Sequence, residues 1–277
     1  MDVKQLTETV ARFCDDRSGG NYVPYDIAIT PAVAGLRMFD APIVGVASAN
    51  DGYFTTFKQK SVIGEHFLTP AEWLQGARSV ISFFFPKTAR VKDSCASPGK
   101  WPSAEWLHAR IEGQMFIRET MKAVKNAIES EGYKAVVPSQ DRRFFSVLTN
   151  AKDKFPEVTF SSSWSERHVA FVCGLGTFGL SKGLITKSGV AGRFGSVVTS
   201  LDISPTPREY NATYGWCSMC GACARNCPSD AISIEAGKNH FPCSAFLDET
   251  KKRYAPRYGC GKCQVNVPCQ DHPPMAV

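Results

Sequence analysis

The chain has 277 residues, 43% hydrophobic and 21% charged, an ordinary globular composition with room for about two domains. Its formal charge of +6 comes from 32 basic and 26 acidic side chains scattered without a block of like charge, which excludes a linear nucleic-acid footprint. The start, MDVKQLTETV, has no basic n-region or apolar h-region, and the most apolar short run, 79–85, is far too short to span a bilayer, so a cytoplasmic protein without membrane association is expected.

In chain order, residues 2–17 read as a helix ending at Gly19 and Gly20. Thr69-Pro70-Ala71-Glu72 is a capping box with proline at the first helical position, so a short helix starts there. It leads into 79–85, a buried strand stopped by Pro86. Ser103 caps the longest helix, about residues 104–131, with apolar positions Trp106, Leu107, Ile111, Met115, Met121, Val124 and Ile128. Gly132 ends it, and 133–137 reads as a strand. Residues 87–102 and 138–156 carry Pro, Ser, Asp and Lys and read as loops. There are no internal repeats.

Ser163 and Glu166 form a second capping box, which predicts a short helix over 164–173. Gly174-Leu175-Gly176-Thr177-Phe178-Gly179 formally matches G-x-G-x-x-G, but a dinucleotide fingerprint needs a strand before it and a helix after it. Here a capped helix comes first, and Gly183 and Gly189 spoil any long helix afterwards. A turn packed close to a flat, bulky cofactor accounts for the three glycines at least as well. Residues 183–186 and 194–203 then read as strands joined around 187–192.

Eight of the eleven cysteines follow, from Cys217 onward. Four of them read Cys217-Ser-Met-Cys220-Gly-Ala-Cys223-Ala-Arg-Asn-Cys227-Pro228, the C-x2-C-x2-C-x3-C-P spacing by which bacterial ferredoxins hold 4Fe–4S clusters. Three thiolates on one tight loop can each reach a different iron of one cubane, while the fourth cysteine of such a run serves the other cluster of a pair. Cys243, Cys260, Cys263 and Cys269 bring the number to two sets of four. Cys-x2-Cys pairs also make zinc knuckles, but zinc sites rarely use a four-cysteine run ending in proline. A disulfide framework does not suit a chain without a secretory signal. Two oxidised clusters with their thiolates would bring the formal charge down to about +2.

A helix entering a Gly-x-Gly-x-x-Gly turn, two strands, the four-cysteine run, a lone cysteine and a last cysteine cluster form an order that resembles epoxyqueuosine reductases. Their relatives include the reductive dehalogenases. The matching pieces are 170–179, Gly195-Ser196-Val197-Val198-Thr199, 217–228 with Ala231-Ile232, Cys243-Ser-Ala-Phe-Leu247 and Gly259-Cys260-Gly-Lys-Cys263-Gln264. The resemblance implies an α+β protein. A nitroreductase-like α/β domain, residues 1–210, would bind cobalamin, and a ferredoxin-like module, 211–277, would carry two 4Fe–4S clusters. By the same resemblance Cys217, Cys220, Cys223 and Cys269 would hold one cluster, and Cys227, Cys243, Cys260 and Cys263 the other. Gly174, Gly176, Thr177, Gly179, Gly195 and Ser196 would lie against the cobalamin.

The spacing departs from the family at Cys269, which follows Cys263 by six positions and has no proline after it. The family's helical-repeat region, which helps to hold transfer RNA, has no counterpart before Val277. Its aspartate proton donor falls, by an ungapped count, on Phe160. The expected substrate is therefore a small molecule that loses a hydroxyl, an epoxide oxygen or a halide, with electrons from an external donor such as ferredoxin or flavodoxin. Catalytic candidates are Glu166, which a capping box explains without chemistry and more readily; His168, on the same short helix and more often a packed residue; and Asp141, in a loop with Arg142 and Arg143. Trp164, Phe178 and Phe194 read as core, and Cys14, Cys95 and Cys173 as free thiols. Two other readings stand: an electron-transfer protein serving a partner enzyme, and a reductase with FMN in the same pocket.

Overall fold

The computed structural model describes residues 2–149 and 159–274. In chain order its elements are α1 (Val3–Asp15), β1 (Ile43–Ser48), α2 (Gly52–Thr56), α3 (Pro70–Trp73), β2 (Ser79–Pro86), α4 (Ala89–Ala96), α5 (Ala104–Ser130), β3 (Ala135–Val136), β4 (Ser146–Leu148), β5 (Phe160–Ser162), α6 (Glu166–Val172), β6 (Gly176–Phe178), β7 (Leu184–Thr186), β8 (Gly192–Thr199), α7 (Ala222–Arg225), β9 (Ile232–Ser233), β10 (Gly237–Lys238) and α8 (His240–Tyr254). No helix among the described residues is long and apolar enough to cross a membrane.

The main sheet runs β1-β2-β8-β3 with every pairing antiparallel. Strand β2 organises it, because side chains alternate across a strand and both of its faces are apolar. Ile81, Phe83 and Phe85 point to one side, where α1 and α5 bring Leu6, Val10, Phe116, Ile117 and Met121. Val80 and Phe84 point to the other, into a second core with Phe54, Phe67, Trp164, Val169 and Ile185. A sheet apolar on both faces must be covered on both, and this one is. The helix starts follow local chemistry. Asp2 and Gln5 cap α1 reciprocally, Thr69 and Glu72 do the same for α3, and Ser103 Oγ accepts from Trp106 N at the head of α5.

Four expectations are corrected. Residues 87–102 contain a helix, α4, because Val91 and Cys95 lie one turn apart and both bury completely, which outweighs the polar local composition. Residues 138–149 contain a 3-10 turn (Pro138–Gln140) and strand β4, which pairs with β5; the expected loop over 150–156 lies outside the described residues. Strand β7 pairs with β6 rather than with β8, Gly176 standing opposite Thr186. The second capping box does not form. Ser163 Oγ instead accepts from Phe145 N and donates to Arg143 O, and α6 begins at Glu166 without a side-chain cap.

The cysteine-rich tail contributes few large buried side chains of its own, chiefly Ile232, Phe246, Val265 and Val267. It is fastened to the rest by polar contacts. Val190 N donates to Cys269 O at 2.9 Å, Lys262 Nζ donates to the carbonyls of Cys95 and Ser97 at 2.8 Å, and Arg257 pairs with Glu112 at 2.8 Å. Gly189 sits so close to the tail that a Cβ there would lie 2.0 Å from Gln270 O.

Candidate functional site

A cavity of about 610 Å³ lies between α5, β8, the start of α6 and the tail. Helix α5 presents Trp106, Arg110, Gln114, Ile117 and Met121, three or four residues apart and so on one helical face. Strand β8 contributes 192–195, α6 contributes Glu166 and Arg167, and the tail contributes Cys227, Cys243, Cys260 and Cys263.

Glu166 is the one carboxyl among the cavity's described lining residues. Both of its oxygens are buried and, among the described residues, neither has a hydrogen-bond partner. Burial pushes its carboxyl up to about 7, against a smaller opposing effect from the Ser196 and Ser139 hydroxyls, which face it without reaching hydrogen-bonding geometry. The cations are more numerous. Lys87 is 2% exposed, and its ammonium lies 4.3 Å from the centre of the Trp106 ring. Arg193 donates through Nε to Gln114 at 2.8 Å, and burial pushes it down to about 9. Arg110 donates to the Tyr258 hydroxyl at 3.2 Å, and Arg167 to the carbonyl of Lys182.

The eight tail cysteines fall into two neighbourhoods. The Cys269 thiol is raised to about 12, first by burial and then by repulsion from Cys217, Cys223 and Cys220. Burial likewise raises Cys263, with Cys243 and Cys227 adding to it, and pushes Cys260 up to about 12, with Cys263 and Cys243 adding to it. Cys223 feels Cys263 first among the cysteines, so the two groups adjoin. Thiols that resist deprotonation because they are buried, and secondarily because they lie near one another, suit a cationic iron core, which binds them as thiolates. Among the described residues no three Cys, His, Asp or Glu side chains converge on the point a single ion would fill. A cubane spreads its four thiolates round four irons and does not require that convergence. The second group borders the cavity, whereas Cys220 of the first is exposed.

The other expected site residues lie elsewhere. Gly174, Gly176, Thr177 and Gly179 do not line the cavity, and the reason for the glycines is steric. A Cβ on Gly176 would lie 1.9 Å from the Ile185 carbonyl across the β6–β7 hairpin. Gly176→Val is therefore expected to cost more than about 4 kcal/mol and to lose iron together with any larger cofactor. Denaturant unfolding and iron analysis on one preparation check this, and intact stability with iron retained would contradict it. Gly195 does line the cavity, and Ser196 lies behind it, accepting from Trp164 Nε1 at 2.9 Å. His168 packs against Phe57 and Phe178, meets Ser165 Oγ at 2.7 Å, and is held down to about 3 by burial, so it is a neutral packed residue outside the cavity. Asp141 is likewise outside, paired with Arg143 at 2.9 Å and held down to about 2 by that guanidinium. Trp164 is core, stacked on Phe67 at 5.6 Å, and also touches the cavity. Cys14, Cys95 and Cys173 are free and buried. Sequence reasoning missed Lys87, Arg110, Arg167 and Arg193. The available signal was a lysine that follows the apolar run Phe83–Phe85 by one proline.

The model of a 4Fe–4S binding domain matches residues 213–233. No curated protein sequence matches the chain. The fold is similar to the crystal structure of a selenomethionine-labelled epoxyqueuosine reductase, with TM-score 0.53 and 18% identity over 97% of this chain and 66% of that one. It is similar to epoxyqueuosine reductase with an epoxyqueuosine-modified tRNA-Tyr stem loop, with TM-score 0.51 and 18% identity over the same shares of 97% and 66%. It is also similar to a catabolic reductive dehalogenase in complex with 3-bromo-4-hydroxybenzoic acid, with TM-score 0.53 and 15% identity over 98% of this chain and 37% of that one. The chain thus spans 66% of the length of those epoxyqueuosine reductases and 37% of that dehalogenase. At these identities the likeness is one of fold, joined to a 4Fe–4S motif.

Proposed function

We propose that this protein is an iron–sulfur oxidoreductase that passes electrons through two 4Fe–4S clusters to a cobalamin in the cavity, where a small molecule is reduced. The observation that carries the reading is that Cys227, Cys243, Cys260 and Cys263 border the cavity that also holds the buried Glu166. An electron carrier alone has no need of a cavity with an orphaned acid in it.

The residues present fit a broad planar cofactor. Ile117, Met121, Leu184 and Phe194 supply apolar wall, and Gly195 lets Ile117 and Met121 pack directly on the backbone of β8, where a Cβ would lie 3.0 Å or less from both. When bound, cobalamin supplies low-potential chemistry suited to breaking a carbon–oxygen or carbon–halogen bond. The chain's own part is positional and electrostatic. Cys217, Cys220, Cys223 and Cys269 would hold the outer cluster, where exposed Cys220 and Met219 mark the approach of a donor such as ferredoxin or flavodoxin. Cys227, Cys243, Cys260 and Cys263 would hold the inner one. Arg167 lies within the field of Cys243 and Cys263 and would offset that cluster's charge. Glu166, whose carboxyl oxygens are buried at the cavity's edge, holds a proton near neutral pH and would release it to the group that leaves.

Metal content and absorbance of anaerobically prepared protein test the reading directly. About one cobalt per chain with iron and sulfide supports it. A flavin spectrum would put FMN in the cavity instead, and iron alone after anaerobic incubation with cobalamin would leave an electron-transfer protein.

A further inference from the structure

We propose that Lys87, Arg110 and Arg193 form an anion-binding subsite at the α5 end of the cavity, which takes a carboxylate or phosphate group of the substrate. The inference rests on the cavity being the reaction chamber and names the class of molecule that enters it.

Three elements bring these cations together. Lys87 follows the last residue of β2, and its backbone N donates to Ala191 O at 2.9 Å, which sets it beside the start of β8. Arg193 stands opposite Phe85 in the same ladder. Arg110 lies one turn after Trp106 on α5, and Gln114, one turn further, orients Arg193. Burial first, and then repulsion from Arg193 and Arg110, push the Lys87 ammonium well down from its ordinary value, and all three side chains line the cavity.

Such a cluster is costly unless something balances it. Among the described residues none of the three forms an ion pair with a carboxylate. Their partners are the Trp106 face, the Tyr258 hydroxyl and the Gln114 amide oxygen, which aim the charges without neutralising them. Arg167 and Lys238 are the cavity cations that act on the tail cysteines, while the groups acting on Lys87 and Arg193 include no tail cysteine. Glu166, the one carboxyl of the lining, is held toward its neutral form. An incoming anion completes the balance. Two guanidiniums and an ammonium match the oxygens of a carboxylate or phosphate monoester.

The test uses the full chain with its clusters but no larger cofactor, so it succeeds or fails independently of the cobalamin reading. Inorganic phosphate is titrated at constant ionic strength against chloride, and binding is followed by calorimetry and by the unfolding midpoint. Saturable binding is expected in the wild type, and Arg193→Gln and Lys87→Met should each weaken it by about tenfold or more. Arg118→Gln, which changes an exposed arginine of the same lining, should leave it unchanged. Should Arg193→Gln lose iron, Arg193→Lys replaces it, with weakened binding expected at wild-type iron content. Phosphate acting no better than chloride, or binding equally to all variants, would overturn the subsite. Cobalamin carries a phosphodiester of its own, which cobinamide lacks. Phosphate binding to both cobinamide- and cobalamin-loaded protein supports a substrate anion, whereas loss of binding only with cobalamin would overturn that assignment in favour of the cofactor's phosphodiester.

Discussion

Glu166→Gln is expected to lower turnover by about 10²–10⁴-fold while making the protein more stable in alkali. The carboxyl sits at about 7 in the folded chain against an ordinary 4.5, so the fold binds its proton more tightly than the unfolded chain does. Wild-type stability from this group is therefore greatest below about 4.5, declines as pH rises through about 7, and stays reduced above it. Two and a half units correspond to about 3 kcal/mol as an upper figure. Glutamine has no proton to lose, so the variant should lack the decline, and its denaturant midpoint should exceed the wild type's at pH 8 but not at pH 4. Identical pH profiles for the two proteins would show that the carboxyl is not buried as an acid, and unchanged turnover would remove it as the proton donor.

A paired cysteine experiment should produce the second large effect. Cys227→Ser and Cys269→Ser are each expected to reduce iron from about eight to about four per chain, but through different clusters. Cys269 is six positions from Cys263, yet its neighbours are Cys217, Cys220 and Cys223. Cys227 stands within the first run, yet it acts on Cys263. Paramagnetic resonance of the reduced variants should consequently show complementary losses, one signal surviving in each. The same signal missing from both would mean that the partition by neighbourhood is wrong.

Much of the fold could be read in the sequence wherever the determinants are local. The Thr69 and Ser103 caps, the apolar β2 and the face of α5 depend on neighbours a turn or a strand away, and they stand where they were expected. Helix α4 was hidden because its two buried residues are surrounded by Lys, Asp and Ser, and only contact with α5 and the tail reveals which side faces inward. The site divides in the same way. A cysteine spacing is a local statement about one loop, so the 4Fe–4S motif from Cys217 to Cys227 announces itself. The cavity is a non-local object, assembled from strands that meet across more than a hundred residues, and its lysine and arginines look in the sequence like ordinary surface charge. The cap expected at Ser163 and Glu166 failed to form for a related reason. Ser163, three residues before Glu166, has the spacing of a cap, but long-range hydrogen bonds to Arg143 and Phe145 occupy that hydroxyl.

The fastening of the tail at Gly189, Val190 and Cys269 sets an order of manufacture. The stretch that includes Leu184, Val190 and Gly192 forms one wall of the cavity, and it is braced by backbone that carries Cys269, proposed above as a ligand of the outer cluster. A nascent chain that has emerged only as far as residue 210 has the sheet but not the support for that wall. Iron delivery would then come before the larger cofactor can be retained.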